Sequence, residues 1–308
     1  MDHFDQDSLH FILESAILAP SADNQHRIRF QLAENTIRVR YIGANLPPQG
    51  SYRHVLALLS LGAVAENLSI AASRFRIGTE IVLLPDLRQP NLIMQIRLLA
   101  EEAKADRLWR SIPLRHTNRQ MRFRGPRMTD TERGELDSVA NTYPACQLVW
   151  LDETPWRTQA LRLMRHAETE RFRNPILHGE LFSAIRFDVG WHAACAEGLP
   201  PGALGVEPPL HVFFALLRHW PVMRMANLFG AHHMLGWRAC ELPCQLAPHL
   251  GLLAAKNTDN QAVFDTGHPG LYPGGARQHN TRPAPSAKSN LSGTGCCRYP
   301  LPFRARLG

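Results

Sequence analysis

One short segment displays side chains that could hydrogen-bond the edge of a polar, planar ligand. Residues 19–30 read APSADNQHRIRF and offer the Ser21 hydroxyl and the Asn24 amide between a predicted helix and a predicted strand. A loop in that position can direct such groups into a ligand pocket. Ser and Asn at this spacing are also typical of an ordinary turn without a ligand, and the spacing alone favours the turn.

A second segment concentrates cations that suit a phosphate. Residues 112–123 read IPLRHTNRQMRF, and their guanidinium groups repel one another unless an anion or acidic side chains lie between them. The planar fork of arginine matches pairs of phosphate oxygens. A solvated basic loop is the alternative interpretation, because most charged runs are of that kind.

The first segment resembles a signature of the nitroreductase superfamily. Members of that family place A-P-S-x-x-N-x-Q-P-W-x-F around FMN. This chain keeps the pattern at 19–21, Asn24 and Phe30, and has His-Arg-Ile at 26–28 where the family has Gln-Pro-Trp. The imidazole of His26 retains a hydrogen-bonding group at the first of these positions. Residues 60–79 resemble the long core helix of the same family.

The basic segment extends the resemblance into the second half of the chain. The stretch at 115–119, RHTNR, is similar to the R-R-x-x-R opening of nitroreductase domains, whose arginines hold the FMN phosphate. It is closer still to the R-R-H-T-N-R stretch of a duplicated, FMN-binding (Acg-like) branch, and nitroreductase domains fused to adenylating enzymes are similar too. The resemblance covers roughly residues 8–264.

The resemblance implies an α+β fold in which helices flank a central, mainly antiparallel sheet. Two pseudo-repeated halves, residues 1–110 and an incomplete 111–266, would hold FMN at their junction. The family's second long helix would follow residues 262–267, where this sequence turns instead into a Pro/Gly/Arg-rich tail at 267–308. We expect that tail to be disordered or frame-shifted. The implied FMN contacts are Ser21, Asn24 and His26 on the ring or ribityl chain, and Arg115, Thr117, Asn118 and Arg119 on the phosphate.

The implied activity is that of an FMN-dependent NAD(P)H oxidoreductase. The nicotinamide would deliver hydride to the flavin, which would pass electrons to a nitro, quinone or similar acceptor. We expect no nucleic acid or membrane partner, and either a monomer with pseudo-dimeric halves or a homodimer. No spacing in the sequence identifies a catalytic acid or base. The alternatives are an FMN-binding or storage protein without turnover, and a truncated, non-functional product.

Composition fits a cytoplasmic, globular chain and argues against the other classes. The formal charge of +7 arises largely after Asp265, so it is weak evidence for a nucleic-acid partner. The N-terminal residues have no basic segment or long apolar run, and no signal peptide is predicted. Cys240 and Cys244 would share a helical face, but Pro243 argues against a regular helix there. No zinc spacing is present, so we interpret the cysteines as free thiols and expect no metal site.

Apolar periodicity predicts the elements that must position these segments. A helix at 8–18, with Ser8 as its cap, precedes a hairpin that turns at Glu34-Asn35. A long buried helix at 51–77 ends at Gly78. The remaining predictions are strands at 79–84, 92–98, 147–151 and 246–253, and helices at 101–109, 130–141, 155–170, 178–187, 210–240 with a break at Pro221, and from 258 onward.

Overall fold

The computed structural model describes residues 4–42, 46–86, 88–100, 103–115, 117, 121, 126–152, 155–191, 193, 195 and 197–269. All of these residues belong to one compact unit, Met1–Gln278. From residue 270 onward the predicted tail lies outside the described residues.

The first part of the chain forms a four-stranded sheet that carries two helices. Helix α1 (Gln6–Ile17) leads into strands β1 (Ile28–Ala33) and β2 (Thr36–Tyr41), which pair as the predicted hairpin. Helix α2 (Tyr52–Ser73) and strands β3 (Gly78–Leu83) and β4 (Leu92–Leu99) follow. The strand order is β1-β2-β4-β3, and every neighbouring pair is antiparallel.

Two helix ends differ from the sequence-based prediction for local reasons. The cap of α1 is Asp5, whose carboxylate accepts the backbone N–H groups of Asp7 at 2.8 Å and Ser8 at 3.1 Å. A carboxylate at this position also complements the helix dipole. Helix α2 ends at Ser73, because Arg76 takes a left-handed backbone with φ 62° and turns the chain. Gly78, the predicted stop, opens β3 instead.

The core lies between one face of this sheet and the two helices. Asn67 of α2 is buried there and donates its amide to the Ser15 carbonyl of α1 at 2.9 Å, which satisfies a polar group that burial would otherwise penalise. Among the described helices, α2 is the one that is long and apolar enough to cross a membrane, as judged by length and composition alone. In this structure, however, 67% of its most apolar stretch is buried inside the protein. The fully buried apolar side chains of the cluster include Ile12, Ile37, Leu58, Leu68, Ile93, Met94 and Ile96.

The second part of the chain is mainly helical and contains a two-stranded sheet. Its elements are α3 (Asp130–Asn141), β5 (Cys146–Trp150), α4 (Trp156–Arg173), α5 (Pro175–Ala184), α6 (His211–Leu217), α7 (Trp220–Asn227), α8 (Ala231–Gly236), α9 (Leu242–Leu246), β6 (Gly251–Ala255) and α10 (Asn260–Gly267). Strands β5 and β6 are antiparallel. Helices α4, α5, α6, α7 and α8 pack around a second apolar cluster. Its buried residues include Phe172, Phe182, Phe214, Leu217, Met223 and Ala231.

Several boundaries in this part were predicted wrongly. Residues 103–106 are not helical, and a short 3₁₀ turn at Arg107–Arg110 stands where the end of helix 101–109 was expected. The predicted helix 210–240 breaks between α6 and α7 and at Gly230, whose φ is 80°, whereas Pro221 sits in the first turn of α7 where proline is tolerated. The strand expected at 246–253 begins only at Gly251.

Helix α10 crosses α2 at a pair of glycines. A methyl group on Gly62 would lie 2.1 Å from the Phe264 carbonyl oxygen, and one on Gly267 would lie 2.3 Å from the Leu59 carbonyl oxygen. Just beyond the crossing, Glu66 accepts a hydrogen bond from the Tyr143 hydroxyl at 2.8 Å and contacts His268 Nδ1 at 2.9 Å. The end of the described chain is therefore anchored in the core.

The observed architecture confirms the coarse fold prediction. The protein is α+β, and its sheets are antiparallel and flanked by helices.

Candidate functional site

The predicted binding loop has an unusual backbone. Asp23 and Asn24 both adopt the left-handed region, with φ of 56° and 55°. Asp and Asn tolerate this conformation better than other residues with a Cβ. The loop follows α1 directly, and the backbone N–H of Ala22 donates to Ser60 Oγ of α2 at 3.3 Å. Two elements of the core therefore hold Ser21 and Asn24 in place.

Asn24 joins the loop to the second part of the chain. Its side-chain amide donates to the Gly198 carbonyl at 2.9 Å, and the Gly198 N–H donates to the Asn24 carbonyl at 3.0 Å. Gly198 has φ 80°, which few residues other than glycine adopt. Residues 196–209 (AEGLPPGALGVEPP) are rich in Pro and Gly, and no local sequence pattern pairs Gly198 with Asn24. This contact is the part of the site that sequence reasoning missed.

His26 turns back onto the end of α1. Its Nε2 lies 2.9 Å from the Ala19 carbonyl oxygen. Burial lowers the pKa of His26, and the positive charge of Arg115 lowers this pKa further, although contacts with the carbonyl groups of Ala19 and Ile17 oppose both effects. A neutral imidazole whose Nε2–H donates to Ala19 satisfies these contacts.

Arg115 reaches the same helix end from the basic segment. Its Nη2 donates to the Leu18 carbonyl at 3.1 Å, one of the carbonyls that α1 leaves without a helical partner. Burial of the guanidinium lowers the pKa of Arg115. Among the described residues, no carboxylate lies within ion-pair distance of it. The structure thus places Arg115 near His26 at the end of α1, from which the loop that carries Ser21 and Asn24 continues.

Two polar atoms at this place are buried without a hydrogen-bond partner. They are Ser21 Oγ and Arg115 Nε, and they make up half of such side-chain atoms found among the described residues, the other two being Asn227 Oδ1 and His232 Nδ1. A buried polar atom without a partner costs about 1–3 kcal/mol and calls for a ligand, an ion or water. A hydroxyl and a cationic N–H together suit an anionic or polar ligand such as a phosphate.

The other predicted phosphate contacts are only partly described. Thr117 is exposed. Asn118 and Arg119 lie outside the described residues, so their predicted role stays a prediction.

A shallow cleft of about 380 Å³ lies elsewhere, along the β1–β2 hairpin. Its lining includes Phe30, which belongs to the resemblance signature, but none of the four residues gathered at the end of α1. The guanidinium of Arg40 in this cleft is already engaged with Gln31, Gln89 and Asn91. The loop therefore offers the stronger evidence for a ligand, because two polar atoms there are buried without a partner and none of the polar atoms lining the cleft is among the described atoms of that kind. The residues that line the cleft are Arg29, Phe30, Gln31, Arg40, Tyr41, Ile42 and Asn91.

The sequence matches no model of a known protein family, and it has no match among curated proteins. The resemblance to nitroreductases therefore depends on the short segments quoted above.

Proposed function

We propose that this protein binds FMN at the end of α1 and acts as a nitroreductase-type oxidoreductase. The observation that carries the proposal is the pair of orphaned donors, Ser21 Oγ and Arg115 Nε, which are buried where Arg115 of the basic segment reaches the end of α1 and the loop at 19–30 begins. A ligand with a phosphate and a polar planar ring would satisfy both donors. The chain would work in the cytoplasm, with NAD(P)H as the donor and a nitro, quinone or similar compound as the acceptor.

Arg115 would hold the phosphate and Ser21 would donate to the ribityl chain or ring edge. His26, kept neutral by burial, would fix the loop against α1 rather than carry charge to the ligand. When bound, the flavin itself supplies the hydride and electron transfer, and the protein controls access and electrostatics.

A duplicated nitroreductase-like fold would explain two contacts between the halves. Helix α10 of the second half crosses the long helix α2 of the first half at Gly62 and Gly267. Gly198 of the second half closes on Asn24 of the first. A site assembled from both halves within one chain is analogous to the sites that a homodimer assembles across its interface. Sedimentation velocity would distinguish this pseudo-dimeric monomer from a true homodimer.

The test of binding is the visible absorption of purified protein after FMN is added and the excess is removed. We expect the wild type to retain a flavin band. Replacing Arg115 by Ala should weaken FMN binding roughly tenfold or more, because a charge-assisted hydrogen bond contributes about 1.5–3 kcal/mol. Ser21→Ala should weaken it by a smaller factor, since a neutral hydrogen bond contributes less.

The matched control is Arg97→Ala. Arg97 is an exposed arginine that pairs with Glu80 on the sheet, and its loss should leave FMN binding unchanged. A folded wild type that retains no flavin would refute the cofactor assignment. Equal losses in the Arg115 and Arg97 variants would refute the assigned site while leaving FMN binding possible.

A second function, FMN storage without turnover, is favoured by a different observation. Asn24 and His26, two of the three groups expected near the ring, are engaged with Gly198 and Ala19. Fewer groups then remain to orient the ring for electron transfer. Oxidation of NADH or NADPH with a dye or nitroaromatic acceptor separates the two functions, because a storage protein would bind FMN and give no oxidation above the free-flavin rate.

A further inference from the structure

Cys240 and Cys244 form a pair of neighbouring thiols in the helical segment after α8. Cys240 lies in a π-helical turn at Trp237–Glu241, and Cys244 lies in α9. Both are half-buried and free. Residues four apart in a helix lie on the same face, and the two side chains interact directly. This arrangement has no part in the proposed FMN site.

The irregular helix explains how Pro243 fits between the two cysteines. Proline has no N–H and its ring clashes with the preceding turn of a regular helix. Here the turn before it is widened, and the Leu242 N–H bonds to the carbonyl of Trp237, five residues earlier. Pro243 then occupies the first turn of α9, where proline is tolerated. The expectation that Pro243 is incompatible with a regular helix here is therefore confirmed, and the pair lies in an irregular helical segment instead.

Neighbouring side chains give the two sulfurs different roles. The hydrogen bond from Cys240 lowers the pKa of Cys244 to about 7, and the charge of Arg157 lowers it further against the effect of burial. Arg157 is fixed nearby, since its Nη2 donates to the Cys244 carbonyl at 2.8 Å. The pKa of Cys240 is raised by its bond to Cys244, by burial and by the charge of Glu168. The lowered pKa makes Cys244 the candidate nucleophile, with Cys240 as the thiol that would react with its oxidised form.

We propose that Cys240 and Cys244 form a redox-active dithiol that a hydroperoxide converts to an intramolecular disulfide. The Cys244 thiolate attacks one peroxide oxygen, the O–O bond breaks, and the leaving oxygen takes a proton to become water or an alcohol. The resulting sulfenic acid is then attacked by the Cys240 sulfur, which loses its proton as the S–O bond breaks and water leaves. Two thiols are oxidised and one peroxide is reduced. A dithiol reductant restores the pair by thiol–disulfide exchange.

The backbone spacing allows the bond to close. Helical residues four apart have Cα atoms about 6 Å apart, and disulfides span about 4.4–6.8 Å. The side chains of Arg157 and Arg165 fix the segment to α4 through the Cys244 carbonyl and through Glu241. The Cβ atoms of such residues lie about 5–6 Å apart, and a disulfide brings them to about 3.5–4.5 Å, so closing the bond draws the two turns together locally.

The experiment uses the full chain with Cys296 and Cys297 replaced by Ser, so that this adjacent pair cannot contribute. The reduced protein is treated with a small excess of hydrogen peroxide, quenched with an alkylating reagent and examined by intact mass and peptide mapping. We expect the mass of the protein to fall by two hydrogen atoms. Cys240 and Cys244 should become joined by a disulfide and protected from alkylation, and dithiothreitol should reverse both changes.

Single substitutions test the assigned roles. Cys240→Ser should stop the reaction at a sulfenic acid on Cys244 that a dimedone reagent traps, and should raise the pH at which the Cys244 thiolate forms. Cys244→Ser should slow the reaction of peroxide with Cys240 at least tenfold at pH 7, because its thiol stays protonated. The control is Cys195→Ser, a half-buried thiol whose pKa is raised by burial, and it should leave the disulfide yield unchanged.

Two results would overturn the proposal. One is a mapped protein in which Cys240 and Cys244 remain alkylatable after peroxide treatment while the fold is intact by circular dichroism. The other is a Cys244→Ser variant that consumes peroxide as fast as the wild type.

Discussion

Asp152 shows how a single carboxylate connects several elements of the second part of the chain. Its Oδ2 lies 2.9 Å from Arg133 Nη1 of α3 and 3.1 Å from His249 Nδ1, and its Oδ1 accepts the Leu250 N–H at 3.3 Å. Burial alone would raise the pKa of Asp152, but the bonds from His249 and Leu250 and the charge of Arg133 lower it on balance. The ionised form is therefore favoured in the folded state.

We predict that Asp152→Ala lowers the free energy of unfolding by about 1–2 kcal/mol near neutral pH, because several partners lose a charged acceptor. Since the folded pKa is lowered, the contribution of Asp152 is present above the ordinary carboxylate pKa and is lost as the pH falls through the folded value. The free energy of unfolding, measured in urea, should change less between pH 7 and about pH 3 in the variant than in the wild type.

The control is Asp188→Ala, which removes an exposed ion pair with Arg186. Such pairs contribute little, so this variant should unfold like the wild type at pH 7. Equal stability of Asp152→Ala and wild type at pH 7 would show that the Asp152 contacts are not maintained in solution.

At the scale of residues, the sequence predicted several members of the candidate site. Ser21, Asn24, His26 and Arg115 were expected together from two short patterns. In the structure, His26 and Arg115 contact carbonyls at the end of α1, and Ser21 and Asn24 lie in the loop that follows, while their role in binding stays a prediction. Which atoms already have protein partners depends on the course of distant segments, and no local pattern contains that information.

At the scale of elements, the crossing of α2 and α10 depends on the absence of two side chains. We predict that Gly62→Ala destabilises the protein by about 1–3 kcal/mol, because the added methyl group meets the Phe264 carbonyl of the facing backbone at 2.1 Å and the helices must separate. Thermal and urea unfolding measure the change.

The matched control is Gly134→Ala in α3. Nothing lies within 4 Å of a methyl group added there. Alanine should then stabilise that helix by roughly 0.5–1 kcal/mol, because it restricts the unfolded chain and favours the helix. A Gly62→Ala variant as stable as the wild type would mean that the two helices do not approach this closely.

Elements were predictable where their pattern is local. The hairpin of β1 and β2 combines alternating apolar residues with a two-residue turn, and that turn lies at Glu34-Asn35 as predicted. The helix predicted at 101–109 was wrong for the described residues 103–106. Asp106 holds this segment in another conformation, because its backbone N–H bonds to Ser73 Oγ at 2.9 Å and its carboxylate accepts the Leu108 N–H at 2.8 Å. Contacts with α2 override helix propensity there.

For the whole molecule, the question is how much of the chain the fold requires. Residues 279–308 contain five basic residues and no acidic residue, so a chain ending at Gln278 would carry a formal charge of +2 instead of +7 (7 − 5 = 2). Because residues 1–278 form a compact unit and the remaining sequence has no apolar period, we predict that this truncation changes the free energy of unfolding by less than about 0.5 kcal/mol. It should elute earlier from a cation exchanger.

A shorter chain that ends at Asp259 should behave differently from the chain that ends at Gln278. It removes α10, including Phe264, which is fully buried against α2. Removing one buried Phe side chain alone costs about 3–5 kcal/mol, a large part of the net stability of a domain. We expect this shorter chain to lose cooperative unfolding, as followed by circular dichroism. If ending the chain at Gln278 were equally damaging, residues 279–308 would contribute to the stability of the fold, contrary to the expectation of a disordered or frame-shifted tail.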